Sequence, residues 1–131
     1  MLKVLIVDDS ALLRQRLIEM LAELKGVEII GQAERMVQAK KLARQLKPDS
    51  IILDLHMPDG NGIEVLRDIK KQDVAPLVII FTNYPYLFLR KKCLEAGADF
   101  FFDKSTEFEK MFEVLKQVTN DTLIEKVPSM P

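Results

Sequence analysis

The stretch Val4-Leu5-Ile6-Val7-Asp8-Asp9 joins a continuous apolar run to a pair of acids. Later apolar runs also end in polar residues: Ile51 to Leu53 is followed by Asp54, Leu77 to Phe81 by Thr82, and Phe100 to Phe102 by Asp103 and Lys104. Apolar runs that do not alternate with polar residues are typical of strands covered by helices on both faces. In open α/β sheets ligands bind outside the carboxyl ends of the strands, so the repeated polar endings indicate a binding site there.

Segments of helical periodicity separate these runs. Ser10 predicts the N-cap of a first helix, whose leucines and methionine recur at helical spacing up to a stop at Gly26. A second strand is predicted at 27–33. Further helices are predicted over 36–46, from a capping box at Asn61 to Glu64, from about Pro85 to Gly97, and from a capping box at Thr106 to Glu109. Strand and helix alternate five times, which predicts a doubly wound (βα)5 three-layer α/β sandwich with right-handed crossovers.

The chain has the length and composition of one folded domain. Its 131 residues are 48% hydrophobic, enough for one continuous core, and we expect a domain over 1–120 with a short tail over 121–131. The formal net charge of −1 gives no overall attraction to nucleic acid or to an anionic membrane. We recognise no helix-turn-helix and no basic recognition helix, so we expect no direct binding of nucleic acid by this chain.

Cysteine usage and the N-terminus predict the compartment. Cys93 is the only cysteine, which excludes an intrachain disulfide and fits a reducing environment. Met1 leads directly into the first strand without a signal-peptide pattern, and no segment approaches the roughly 20 apolar residues that span a bilayer. We therefore expect a cytoplasmic protein that does not insert into membranes.

The acids that follow the first and third strands predict a metal site. If these strands are parallel neighbours, Asp8, Asp9 and Asp54 converge at one edge of the sheet. Three close carboxylates repel one another unless a cation lies between them, and a hard divalent ion bound through oxygen is the usual partner. We therefore predict a Mg²⁺ site formed by these acids.

These residues resemble a known family. Asp8-Asp9, the stretch from Lys47 to Gly62 that contains Asp54 and the Met57-Pro58 pair, Thr82 and Lys104 are together similar to the receiver domain of two-component response regulators, of the chemotaxis-type single-domain form. The resemblance covers about 2–118. It implies a flavodoxin-like fold whose parallel sheet has the strand order 2-1-3-4-5.

The resemblance also implies a chemistry, which is Mg²⁺-dependent phosphoryl transfer from the phosphohistidine of a histidine kinase to Asp54. In that family pattern Asp8, Asp9, Asp54 and the backbone carbonyl of His56 hold the metal. The Thr82 hydroxyl and the Lys104 ammonium contact the phosphoryl group. Phe101 falls where the family has its aromatic switch residue, which would change the face formed by the fourth helix, the fifth strand and the fifth helix.

Several positions depart from the family pattern or add to it. Ser105 follows Lys104, where the family commonly has proline with a cis peptide, and Asn83 follows Thr82, where a small residue is usual. Tyr84 and His56 each lie two residues beyond a predicted site residue. We expect both to flank the path of the water that would hydrolyse the phosphoryl group.

Other functions fit the pattern less well. A haloacid-dehalogenase-type phosphatase also has a nucleophilic aspartate at a strand end, but it needs a second acid two residues on, where this chain has His56. A nucleotide-binding module needs a glycine-rich phosphate loop, and no such motif follows a strand.

The sequence leaves two possibilities open for how the protein passes on its signal. The chain is either a free-standing regulator or the receiver half of a longer DNA-binding or enzymatic regulator. The expected partners are a sensor histidine kinase or phosphotransfer protein and an output protein that the sequence does not identify. Whether such a self-phosphorylating protein counts as an enzyme stays open.

Overall fold

A five-stranded parallel sheet forms the centre of the molecule. The computed structural model describes residues 1–83 and 87–125, with the backbone alone for 121–125. The sheet strands are β1 (Leu2–Val7), β2 (Val27–Ala33), β3 (Ser50–Leu53), β6 (Leu77–Thr82) and β7 (Phe100–Asp103). Two short antiparallel strands, β4 (His56–Met57) and β5 (Gly60–Asn61), form a hairpin outside it. The sheet order β2-β1-β3-β6-β7 confirms the predicted order 2-1-3-4-5, because β6 and β7 are the fourth and fifth strands of this sheet.

Five helices cover the two faces of the sheet. They are α1 (Ala11–Leu21), α2 (Met36–Leu46), α3 (Gly62–Lys70), α4 (Leu87–Glu95) and α5 (Phe108–Glu125). One core cluster joins alternate strand residues to Leu17 and Leu21 of α1 and to Met111 and Leu115 of α5. The other cluster joins the opposite sheet face to α2, α3 and α4. This arrangement confirms the predicted three-layer α/β sandwich, and it explains the non-alternating strands, since both of their faces are buried.

The predicted bounds of α2 are confirmed, and the third helix begins at its predicted capping box, where the Asn61 side chain accepts a hydrogen bond from the Ile63 N–H at 2.9 Å. The predicted end of α1 is wrong. The helix ends at Leu21, and the backbone continues through tighter turns in which the Leu24 N–H bonds the Leu21 carbonyl. Gly26, with φ at 88°, marks the reversal into β2 rather than the end of the helix.

The start of α5 also differs from the prediction. The Thr106 hydroxyl donates to the Asp103 carboxylate at 3.1 Å instead of capping a helix, and α5 begins at Phe108. The helix continues to Glu125, so the predicted tail boundary at 120 falls inside it. The predicted start of α4 at Pro85 and the residues 126–131 of the expected tail lie outside the described residues. Within the part of the chain that is described, no helix combines the length and apolar character needed to cross a membrane.

The N-terminus of α2 is capped from a distant part of the chain. Arg35 occupies the N-cap position but makes no side-chain capping bond. The carboxylate of Asp59, at the tip of the β4–β5 hairpin, accepts instead from the backbone N–H groups of Met36 at 2.7 Å and Val37 at 3.3 Å. The Met36 bond is the main reason why the pKa of Asp59 lies below its ordinary value. This contact links the loop after β3 to α2.

Replacing Asp59 by Ala should therefore lower the melting temperature by a few degrees at neutral pH, as expected for the loss of a helix cap. Because the pKa of Asp59 is lowered in the folded state, its stabilisation is complete above the ordinary carboxyl pKa and is lost as the pH falls through the lowered value. The difference between variant and wild type should shrink in acid. Asp73→Ala, which removes an exposed acid without a recorded contact among the described residues, is the control in thermal melts. A difference that stays unchanged when the pH is taken far below the ordinary carboxyl pKa would contradict this role of the charge.

Candidate functional site

Parallel pairing brings the polar strand endings together at one edge of the sheet. Val7, the last residue of β1, pairs with Leu53, the last residue of β3. Asp8 and Asp54, which directly follow them, therefore lie at the same edge of the sheet. Leu53 in turn pairs with Ile80, and Thr82 pairs with Asp103, so Thr82 and Lys104 lie at the same edge. The backbone adds further connections, because the Asp54 N–H donates to the Val7 carbonyl and the Lys104 N–H to the Thr82 carbonyl, both at 2.9 Å.

The three predicted acids form a compact oxygen-rich cluster. One carboxylate oxygen from each of Asp8, Asp9 and Asp54 lies within 4.8 Å of the other two. Asp8 and Asp54 are buried, with 3% and 5% of their surface exposed, whereas Asp9 is exposed. Carboxylates are hard ligands, and Mg²⁺ usually keeps several waters in addition to one or two carboxylates. The donor set and the open side at Asp9 therefore fit a divalent cation.

Lys104 supplies positive charge to the two buried acids. Its Nζ atom lies 2.5 Å from Asp8 Oδ2 and 3.0 Å from Asp54 Oδ2, and only 9% of the lysine side chain is exposed. Burial acts to lower the pKa of Lys104, but its bonds to the two carboxylates outweigh that effect and raise the pKa, so the ammonium stays charged. Burial raises the pKa of Asp8 in spite of its bonds from Lys104 and Ser10. One ammonium therefore balances only part of the negative charge of three acids, and the remaining charge favours the binding of a further cation.

The segment after Asp54 is held close to the sheet edge. The His56 N–H donates to Asp54 Oδ1 at 3.3 Å, while the His56 side chain is exposed, as expected if only its carbonyl serves the site. The Gly62 N–H donates to the Leu55 carbonyl at 2.8 Å. A Cβ atom on Gly62 would lie 2.7 Å from Leu55 Cα and 2.8 Å from the Asp54 carbonyl oxygen. Only glycine permits α3 to begin this close to Asp54.

Phe101 is buried in the core beneath α4, with 5% of its surface exposed. The neighbouring Phe100 and Phe102 lie on the other face of the sheet, with their ring centroids 6.1 Å apart in a stacked arrangement, which confirms the predicted alternation. The side chain in the predicted switch position therefore already points into the core in this structure.

The loop after Lys104 differs from the proline-containing form of the family. Among the described residues all peptide bonds are trans, including the one that precedes Ser105. The Ser105 N–H and hydroxyl both donate to Asp103 Oδ1, at 2.9 Å and 2.7 Å. These bonds are the main reason why the pKa of Asp103 lies below its ordinary value. A proline could not donate the backbone bond, so Ser105 stabilises this turn by a different means. Tyr84, the other residue expected to flank the site, lies outside the described residues.

Sequence reasoning did not identify Arg14. Its Nη1 atom donates to the backbone carbonyl of Asp8 at 2.6 Å, and its Nε atom donates to Gln32 Oε1 at 3.0 Å. The only sequence signal is a long basic side chain in the first turn of the helix that follows the acids. Such a position is more often solvated, so the contact becomes evident only when β2 is placed beside β1.

The sheet, its helices and the acid cluster at the strand ends define a doubly wound α/β protein with a candidate cation site at the carboxyl edge of the sheet. A protein-family model described as the response regulator receiver domain matches residues 4–116. The chain belongs to this family.

Known relatives agree with this assignment. The response regulator GacA of Pseudomonas aeruginosa is 34% identical over 118 residues, which are 90% of this chain and 55% of that protein. A protein-glutamate methylesterase/protein-glutamine glutaminase of Alkalilimnicola ehrlichii is 38% identical over 104 residues, which are 78% of this chain and 26% of that protein. The chain thus spans about half or less of the length of these two relatives. Among solved structures, the response regulator domain of Thermotoga maritima CheB is 30% identical with a TM-score of 0.79, covering 92% of this chain and 94% of that one.

Gly62→Ala should destabilise the protein by roughly 1–3 kcal/mol, because the added methyl group would overlap backbone atoms of Asp54 and Leu55 that cannot move independently of the site. Gly31→Ala is the matched control, since the nearest atoms there are the ends of two leucine side chains. Denaturant unfolding compares the two variants. A smaller loss for Gly62→Ala than for Gly31→Ala would contradict the close approach described above.

Proposed function

We propose that this receiver domain accepts a phosphoryl group on Asp54 in a reaction that depends on Mg²⁺. The observation that carries the proposal is the buried Asp54 carboxylate, which has an oxygen within 4.8 Å of oxygens of Asp8 and Asp9 and lies 3.0 Å from the ammonium of Lys104. The ligand set proposed for the ion is Asp8, Asp9, Asp54 and the backbone carbonyl of His56. Mg²⁺, when bound, supplies the positive charge that the equatorial phosphoryl oxygens need.

The residues of the chain have separate tasks in this proposal. An Asp54 oxygen attacks phosphorus in line with the departing imidazole nitrogen of a phosphohistidine; the O–P bond forms, the P–N bond breaks, and the imidazole takes up a proton. Lys104 exchanges part of its contact with the carboxylates for a phosphoryl oxygen. Thr82 is fully buried at the end of β6, where its hydroxyl would donate to another phosphoryl oxygen. These positioned charges and donors are the principal means of catalysis in phosphoryl transfer.

The donor in this proposal is a sensor histidine kinase or a phosphotransfer protein, and the reaction takes place in the cytoplasm. Membership of the receiver family supports this choice. The dehalogenase-type alternative lacks its general acid, because the residue two positions after Asp54 is His56, with an exposed side chain.

The output is either contact with a separate protein or control of a further domain. The second possibility is favoured by the length of the relatives, since this chain matches 55% of a response regulator and 26% of a methylesterase. In both cases the proposed signal leaves through α4, β7 and α5. Phe101 is buried in this structure, and we infer that it is also buried before phosphorylation, so the change on that face would be smaller than in a regulator with an outward aromatic side chain.

Asp54→Asn should abolish labelling by acetyl phosphate in the presence of Mg²⁺, because the amide is not a nucleophile toward phosphorus. Intact-mass spectrometry of the wild type should show the addition of one phosphoryl group. Asp73→Asn, which removes the same charge from an exposed loop, should label like the wild type. Equal labelling of Asp54→Asn and wild type, with the fold intact, would show that another residue accepts the group.

Asp9→Asn should weaken Mg²⁺ binding by roughly tenfold or more, since it removes a direct ligand and even contacts behind a ligand commonly contribute 10- to 100-fold. Without Mg²⁺ the variant should be as stable as the wild type or more stable, because one repulsive charge has been removed. Isothermal titration and thermal melts measure the two quantities. Unchanged Mg²⁺ affinity would exclude Asp9 as a ligand.

A further inference from the structure

Hydrogen bonds hold the backbone of Asp8 on both sides of its Cα atom. The Asp8 N–H donates to the Ala33 carbonyl of β2 at 2.9 Å, and the Asp8 carbonyl accepts from Arg14 Nη1 at 2.6 Å. Arg14 is itself fixed by Gln32, the neighbour of Ala33 on β2, through its Nε bond at 3.0 Å. The guanidinium therefore connects the first turn of α1 to the ends of β1 and β2.

Asp9 differs from the other two acids in having no such support for its side chain. Asp8 accepts from Ser10 and Lys104, and Asp54 accepts from His56 and Lys104. The exposed carboxylate of Asp9 makes no hydrogen bond or ion pair within residues 1–83 and 87–125. The orientation of the Asp8–Asp9 peptide sets the direction of the Asp9 Cα–Cβ bond, from which the carboxylate extends.

We propose that Arg14 is a positioning residue for the metal site: by holding the Asp8 carbonyl, it keeps the Asp9 carboxylate directed toward Asp8 and Asp54. The inference rests on the proposed function, because it presumes that these acids bind Mg²⁺. Planar guanidinium groups suit this task, since two different N–H groups reach two acceptors at once. Contacts behind the direct ligands commonly decide how well a site binds its ion.

The charge of Arg14 and its geometry predict opposite effects. A positive charge close to a cation site repels Mg²⁺, so its removal should strengthen binding if charge were its only contribution. Loss of the Asp8 carbonyl contact should release the Asp9 carboxylate and weaken binding. Lys at this position keeps the charge but loses the two-acceptor geometry, which separates the two effects.

The experiment measures Mg²⁺ affinity by isothermal titration for the wild type, Arg14→Gln, Arg14→Lys, Gln32→Leu and Arg16→Gln. Both Arg14 variants should bind Mg²⁺ about tenfold more weakly than the wild type. Gln32→Leu keeps Arg14 but removes the hydrogen bond that its Nε atom donates to Gln32. The Mg²⁺ affinity of this variant should therefore also fall, but by less than in the Arg14 variants. Arg16→Gln is the control, because it removes an equal charge from an exposed position on the same helix.

Phosphorylation by acetyl phosphate gives a second readout. In Arg14→Lys the Mg²⁺ concentration for half-maximal labelling should rise, while the rate at saturating Mg²⁺ returns to near the wild-type value. A general loss of structure would lower the rate even at saturating Mg²⁺, and a rate that stays low at saturation would overturn the inference.

The outcomes separate this inference from the function on which it rests. If the wild type shows no Mg²⁺ binding, the metal site fails, and the positioning role fails with it. If Asp9→Asn binds Mg²⁺ more weakly than the wild type, but both Arg14 variants bind it as well as the wild type or more tightly, the role of Arg14 alone is overturned.

Discussion

The contact of one buried ammonium with two buried carboxylates is the constraint on which the site depends. Lys104 follows the edge strand β7, whereas Asp8 and Asp54 follow the central strands β1 and β3. A buried charge without a partner costs several kcal/mol. The two acids can therefore be buried only if β7 ends where the Lys104 ammonium can reach both carboxylates. The sheet register and the charge balance therefore support each other.

The same contact suits the proposed response of the site to a phosphoryl group. Lys104 neutralises only part of the acid cluster, which leaves a demand for a cation at the exposed side near Asp9. A phosphoryl group on Asp54 would change the partners of Lys104 without removing it from the cluster. Such a local change of charge is the kind of event that shifts a protein between two conformations.

The fold and most of the site could be predicted because the relevant signals are local. Each strand ends in its polar residue within the sequence itself, and the parallel arrangement then brings Asp8, Asp54 and Lys104 together. The end of α1 was predicted wrongly because the helical spacing of apolar residues continues through Leu24, while the backbone already forms tighter turns. The predicted capping role of Thr106 failed because α5 begins only at Phe108, and the Thr106 hydroxyl instead donates to the Asp103 carboxylate within the preceding turn.

Contacts between distant segments could not be predicted in this way. Asp59 caps α2 from 23 residues away, and Arg14 reaches the Asp8 carbonyl just after β1 and the Gln32 side chain on β2. Neither residue has a distinctive spacing in the sequence. Both become identifiable only when the hairpin and β2 are placed in space. Arg14 links the acid cluster to β2, and Asp59 links the loop after β3 to α2.

A crystal structure with Mn²⁺ in place of Mg²⁺ and with beryllofluoride tests the central claim most directly. The account predicts an anomalous peak between the carboxylates of Asp8, Asp9 and Asp54, beryllium bonded to an Asp54 oxygen, and Lys104 Nζ within hydrogen-bond distance of a fluoride. A metal peak away from these acids, or beryllofluoride on any other carboxylate, would contradict it.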